Sequence, residues 1–377
     1  MNKDSNTVMD ENAKEPINSK SSKWKFVTKG YKGFDENLKC RGKQYAIGGV
    51  FYEPKAILCV EGLHFCENPI DCFMYYSPAK FSRYCTIEAT DVAPKINDSW
   101  DTKRVCLNLA VKEEISKNDI INYGLKIIED NAIDKKHKDD PYTYYMMNEC
   151  EYFAPHDHMQ IGSKFPGFSM FSGFMDVRLV STNHHNHLLS NGVANQLISS
   201  GDFNKFAISG TRSTVVSTGD VSYIASSGNM GRIESTGAST DIAVSGDENT
   251  IASSGSNANI SSSGYLNRLW ATGNYSNIAS SGKTNVLVGY GKCCAVASSG
   301  DFNSVEVVGN NGVGCAVGFN SVCRGSLGSF LGLVEWDKDI HGCKLKPIAA
   351  KFVKVDGKKI KPNTWYKLVN GKVVEDD

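Results

Sequence analysis

Two histidine clusters, His156-Asp157-His158 and His184-His185-Asn186-His187, offer the imidazole and carboxylate atoms that bind zinc and related ions. Neighbours on a strand point to opposite faces, so each cluster supplies at most two ligands per face. Surface or cap histidines are expected. Twelve cysteines stand at positions 40, 59, 66, 72, 85, 106, 150, 293, 294, 315, 323 and 343. They contain no pair of CxxC motifs, so zinc lacks its usual spacing, and reduced thiols packed as small apolar groups are expected. Asp202, Asp220, Asp247 and Asp301 each follow a glycine within nine-residue units. Calcium-binding nonapeptides need G-G-x-G-x-D, and the double glycine is missing, so these aspartates read as turn caps. No metal or cofactor is expected.

Charge narrows the chemistry further. Lys and Arg total 41 and Asp and Glu total 41, which supplies no basic excess for a phosphate backbone. Residues 192–318 hold eight acidic and six basic side chains, too balanced a surface to mimic DNA. Nucleic acid is not an expected partner. The first 22 residues lack the apolar core of a signal peptide, and no apolar run approaches the roughly 20 residues of a membrane span. A cytoplasmic protein with no membrane partner is expected.

The elements that must position any site are dominated by a repeat. Glycine falls at 192, 201, 210, 219, 228, 237, 246, 255, 264, 273, 282, 291, 300, 309 and 318, fifteen in strict nine-residue register. Such a period is the signature of stacked architectures, here a parallel β-solenoid. With that glycine as position 1, position 6 is apolar from Leu197 through Ile251 to Val305, and position 4 is mostly Asn, Ser or Thr. Strand alternation turns positions 4, 6 and 8 inward and 5, 7 and 9 outward. The glycine is expected at the corner with a positive φ.

Alternate units differ systematically, so the coil is 18 residues long with two unlike faces. One face carries Ala207, Ala225, Ala243, Ser261, Ala279 and Ala297 at position 7, beside Ser209, Ser227, Ser245, Ser263, Ser281 and Ser299 at position 9. The other carries Val216, Glu234, Ala252, Trp270, Val288 and Glu306 at position 7. The small, regular face is the candidate interface, suited to a second copy of the chain and hence to a homo-oligomer.

The fold class that follows is mainly β. A nonapeptide-repeat parallel β-solenoid, 18 residues per coil and about seven coils over 192–318, is flanked by an N-terminal α+β head and a C-terminal β cap. At ~4.8 Å per coil it would be roughly 34 Å long. Residues 1–22 read as a disordered tail, 23–130 as the head, 131–191 as linker and solenoid N-cap, and 319–377 as the C-terminal cap. A short helix fits Pro69 to Tyr76, a strand fits VCLNLAVK, and Ile120, Ile121, Leu125 and Ile128 form a helical apolar stripe. Asp356-Gly357 and Asn370-Gly371 are signals for two terminal hairpins.

The segments GYKGFDENLKCRGKQYAIGGVF, GLHFCENPIDCFMYYSP and SRYCTIEA resemble the head domain of an uncharacterised family encoded by phages and prophages. In that family the head likewise precedes Ser-Gly-Asp-rich repeats, matched by SSGDFN and IASSG, and the end is similar to VDGKKIKPNTWYKLVNGK. The rigid scaffold, the missing catalytic constellation and the neutral charge lead to the expectation of a non-enzymatic accessory protein whose solenoid serves protein–protein interaction or self-assembly; the resemblance adds a phage or prophage origin and a host-derived partner, host machinery or host defence as its target. A second resemblance, to ADP-ribosyltransferase folds, rests on Gly62-Leu63-His64-Phe65 followed by Tyr75 or Tyr76. It implies Arg41 as the basic residue, Glu88 as the catalytic glutamate and NAD as substrate, although the Ser-Thr-Ser element is absent. A virion or adhesin stalk is the remaining alternative.

Overall fold

The computed structural model describes residues 27–95, 101–134, 143–146, 151–155, 157–338, 341 and 344–376. The expected N-terminal tail, and with it His156, Cys150 and Cys343, lies outside the described residues. The chain forms two compact units, Met1–Tyr76 with Ser82–Ser116, and Ser77–Phe81 with Lys117–Asp377.

In the first unit the strands are β1 (Thr28–Phe34), β2 (Lys39–Cys40), β3 (Lys43–Gln44), β4 (Val50–Tyr52), β5 (Leu63–Cys66), β6 (Arg83–Val92) and β7 (Lys103–Ile115). The main sheet runs β4-β7-β5-β1-β6, and β6 also pairs with β7, so β1, β6, β7 and β5 close on themselves. Alternation explains the interior: Cys85, Ile87 and Ala89 of β6 point in beside Phe34, Phe65, Leu109 and Val111. The closure is uneven. β1 pairs with β6 over Thr28↔Ala89 to Phe34↔Arg83, but meets β5 only at Tyr31↔Cys66. Between β5 and β6 a 3-10 turn, Pro69–Asp71, leads into the short helix α1 (Cys72–Tyr75), as the sequence indicates.

The second unit is the solenoid. It has about ten turns, 18 residues apart, from residue 145 to 333, so it begins roughly three turns before the first register glycine. The early turns carry Phe165, Phe174 and Asn183 in place of that glycine, yet keep buried Ile161, Met170, Leu179 and Leu188 at position 6. Register is strict: Ile242 pairs with Ile260, and Ile260 with Ile278. The inward column, one side chain wide, forms a continuous core. Each fully buried aliphatic contributes about 1.5–3 kcal/mol.

Glycine at position 1 does a different job from the one expected. The positive φ falls at position 3, on non-glycine residues from Ala194 to Asn320, at 51–59°. Position 1 is instead where successive coils approach most closely. A Cβ there would lie 1.7–2.1 Å from the backbone oxygen below it, as at Gly210 over Gly192. The position-3 N–H is used between coils, Phe203 donating to the Asp220 carbonyl at 3.0 Å.

Position 4 builds an internal ladder. Asn285 is fully buried; its Oδ1 accepts from Asn267 N–H at 2.6 Å, and its Nδ2 donates to Ser280 Oγ and the Gly264 carbonyl. Position-2 aspartates extend the pattern outside, Asp220 accepting from Ala238 N–H at 2.7 Å and Asp247 from Tyr265 N–H at 2.8 Å. They cap the next coil, as turn-capping aspartates should.

The helix α2 (Lys117–Asp134) buries the expected Ile120, Ile121, Leu125 and Ile128. It falls in the second compact unit, which holds Lys117–Asp377. Leu125 and Ile128 press on Gly162, where an added Cβ would lie 2.4 Å from Leu125 Cδ1. At the other end Phe330–Lys338 stacks parallel on Val313–Ala316 and pairs antiparallel with Lys344–Lys354. Asn370-Gly371 makes the expected hairpin, with φ of 50° and 65°. Asp356-Gly357 does not: Asp356 Oδ1 accepts from the N–H groups of Lys358, Lys359 and Ile360, closing a local turn. The strand before it already has its partner upstream, so no second hairpin can form there.

Candidate functional site

The two faces of the solenoid differ in exposure as well as composition. Ile198, Val216, Glu234, Ala252 and Val288 are buried, with Trp270 and Glu306 half-buried. Glu234 is ion-paired to Arg232, and its charge also supports the Lys117 ammonium against burial. Lys80 lies over the Trp270 ring, 5.7 Å from its centroid. The opposite face is open. Ala225, Ala243, Ser261, Ala279 and Ala297 are exposed and Ala207 is half-buried, while Ser209, Ser227, Ser245, Ser263, Ser281 and Ser299 are all exposed. An open trough of about 1120 Å³ runs along these two columns. Phe153 and Phe171 stack at its N-terminal end, ring centroids 4.6 Å apart. The structure thus brings the whole candidate interface together on one surface of constant pitch.

His158, His184 and His185 sit at corners and make local contacts, while His187 opens the strand His187–Ser190. His158 Nδ1 lies 3.0 Å from Asp176 Oδ2, His184 Nδ1 accepts from Asp202 N–H at 3.0 Å, and His185 stacks on Phe203. Among the described residues no group of three or more His, Cys, Asp or Glu side chains is placed to hold a metal. Among them, too, no helix is long and apolar enough to cross a membrane. Cys66, Cys72, Cys85, Cys106, Cys294 and Cys323 are buried thiols, and burial pushes Cys85 up to about 11 and Cys106 up to about 12.

The head holds a second concavity. Because β1 and β5 share one residue pair, a cavity of about 350 Å³ opens along their seam. It is lined by Lys32 from β1, Cys40 and Arg41 from the β2–β3 hairpin, His64 from β5, Tyr75 and Tyr76 from α1 and its end, and Lys103 from β7. Arg41 and Gly42 form the two-residue turn of that hairpin, with φ of 49° and 81°.

Three of the four residues implied by the transferase resemblance therefore share a cavity, and their chemistry can be read. His64 Nε2 accepts from Cys59 N–H at 2.9 Å, and Nδ1 donates to the Gly62 carbonyl at 3.1 Å. Burial, then Lys32 and Arg41, lower its pKa to about 4. His64 is a neutral ring pinning its own loop, with neither nitrogen left to take a proton. Tyr75 donates to Asp101 and accepts from Lys103 Nζ; burial and Asp101 push its hydroxyl well above the ordinary tyrosine value. Glu88 is elsewhere, on the outward side of β6. It is ion-paired to Lys112 at 2.8 Å in a different depression, and that bond holds its carboxyl below the usual range.

Lys32 is the residue that motif reasoning missed. Only 4% of it is exposed, and its Nζ donates to the His64 carbonyl at 2.6 Å and approaches Cys40 Sγ at 3.5 Å. Burying an ammonium without a counter-ion costs several kcal/mol, of which the Phe34 and Tyr45 rings return about 0.5–2 kcal/mol. The signal lies in TKGYKGF, where alternation puts Lys32 on the same inward face as Gly30 and Phe34.

Residues 28–123 match a family model described as a domain of unknown function (DUF7666). No curated protein and no solved structure matches the chain. The chain is therefore similar, over its head and the start of α2, to a family without an assigned activity.

Proposed function

We propose that this protein is a non-enzymatic scaffold whose open alanine–serine face docks a second copy of the chain. The observation that carries this reading is the exposure of a regular, small-residue surface while most of the matching positions on the opposite face of the same coils are buried. Small side chains let two sheets approach closely, and a face of constant pitch is self-complementary about a two-fold axis. From Phe153 to Cys315 the face is roughly 43 Å by 16 Å, from ~4.8 Å per coil and ~3.3 Å per residue. Two copies would bury roughly 1,400 Å², the size of a stable standard interface.

Similarity of the head motifs to phage and prophage proteins supports placing this scaffold among phage accessory proteins acting on host machinery. The coupling of a long solenoid to a small head also suits a stalk in a virion or adhesin, and mass spectrometry of purified particles separates the two roles. Transferase chemistry in the head has the shared cavity of Arg41, His64 and Tyr75 in its favour, against a neutral, fully bonded His64 and a distant role for Glu88.

Light scattering on the full chain tests the scaffold reading. A dimer mass is expected for the wild type and a monomer mass for the Ala243→Arg/Ala279→Arg double variant, with an unchanged far-UV circular dichroism spectrum because both alanines are exposed. A wild type that stays monomeric at high concentration, or a double variant that keeps its mass, overturns it.

A further inference from the structure

We infer that the cavity between β1 and β5 of the head is a binding site for a small phosphate-bearing molecule, held by Lys32, Arg41 and Lys103. The first support is charge. Among the described residues three cations line the cavity and no carboxylate does. Among them, too, Lys32 and Arg41 have no acidic partner at ion-pair distance. Asp101, which contacts the lining residue Tyr75, is engaged by the Tyr75 hydroxyl and by Lys103 N–H.

The second support is the state of Lys32. An ammonium has three donors. Two are directed to the His64 carbonyl and Cys40 Sγ, and the Phe34 and Tyr45 rings flank the ammonium, but none of these neighbours is a counter-ion. A fold that buries a cation this deeply without its own counter-ion is completed by an anion from outside. The depressed titration of His64, caused in part by Lys32, Arg41 and Lys103, reports the same positive field.

The third support is shape. Arg41, at an exposed hairpin turn, supplies a planar fork for two phosphate oxygens, while Lys32 acts as a fixed point charge behind it. Tyr75, Tyr76 and Phe65 give the remainder of the wall apolar and aromatic surface. At about 350 Å³ the cavity lies at the small end of the roughly 300–1,000 Å³ of ligand sites, which favours a single phosphate monoester over a polymer or a dinucleotide.

Calorimetric titration of the full-length protein tests this with inorganic phosphate, ribose 5-phosphate and adenosine monophosphate, and with adenosine as the uncharged control. Binding of at least one phosphate probe at low salt is expected, and none of adenosine. Inorganic phosphate binding as tightly as the esters would show that the site reads the oxyanion alone; tighter ester binding would show that the aromatic wall contributes. Arg41→Gln, on an exposed turn, should weaken binding about ten- to hundredfold, the loss of one charge-assisted contact. Lys32→Met should abolish it. Should Lys32→Met fail to fold, Arg41→Gln and Lys103→Gln still decide the matter. No heat from any phosphate probe at millimolar concentration, or binding unchanged in both of those variants, overturns the assignment.

Discussion

Replacing Gly255 by alanine separates two reasons for a glycine at every ninth residue. A Cβ added at Gly255 would lie 1.8 Å from the Gly237 carbonyl oxygen and 2.4 Å from its carbon, whereas real contacts essentially never fall below 3.0 Å. The coils must part locally by roughly 1 Å to restore that separation. That stretches the flanking bonds from Ser254 N–H to Ser235 O (2.9 Å) and from Ser239 N–H to Ser256 O (2.8 Å) beyond useful length. Each such bond contributes about 1 kcal/mol and costs about 1–3 kcal/mol when a buried partner is left unpaired, so a loss of about 3–5 kcal/mol is expected. For a unit of this size, that lowers Tm by about 10 °C. Val221→Gly is the counterpart. Val221 sits at position 3 with φ of 52°, and its N–H bond to the Ala238 carbonyl needs no side chain. Relief of about 1–2 kcal/mol of left-handed strain is offset by about 0.5–1 kcal/mol of glycine entropy, leaving stability equal or slightly higher. Thermal melts followed by far-UV circular dichroism and calorimetry read both. A Gly255→Ala melt within about 2 °C of wild type, the shift that roughly 1 kcal/mol produces, would refute steric approach as the reason for the register. So would a Val221→Gly loss as large as that of Gly255→Ala.

Asn285→Ala removes the acceptor of Asn267 N–H and both donors to Ser280 and Gly264, all inside the corner. A loss of about 2–4 kcal/mol is expected as a lower urea midpoint, and an unchanged midpoint would show that the ladder is dispensable. His64 has a folded pKa near 4, below its unfolded value, so the unfolded chain binds the extra proton and head stability falls as pH drops from about 6.5 towards 4. Since the ring is half-buried, screening reduces the effect to about 1–2 kcal/mol. One histidine NMR signal, lost in His64→Gln, should keep its neutral shift down to about pH 5; titration of every histidine above that pH contradicts the assignment.

The solenoid was legible because side-chain alternation is a local property: Ile242, Ile251 and Ile260 declare an inward column without knowledge of what they face. The purpose of the glycine was not, since a positive φ and a close backbone approach both ask for a missing Cβ, and only the placement of the coil below distinguishes them. The early turns are invisible to a ruler made of glycine. Phe165, Phe174 and Asn183 interrupt it, while Met170, Leu179 and Leu188 continue the deeper rule that the core must be filled.

The head was harder for a physical reason of another kind. Its cavity exists because β1 and β5 meet at a single pair, a tertiary accident of closure that no window of sequence contains. Arg41, His64 and Tyr75 line it together, but a resemblance between short motifs carries no information about the hydrogen bonds that neutralise His64. Net charge is silent in the same way. A total of 41 cations against 41 anions says that the average field is flat, yet binding depends on where charges go unpaired. Glu88 spends its charge on Lys112 and Asp101 engages Tyr75, while Lys32 is buried beside rings and a carbonyl. A balanced composition therefore coexists with a cavity whose charged walls are all of one sign.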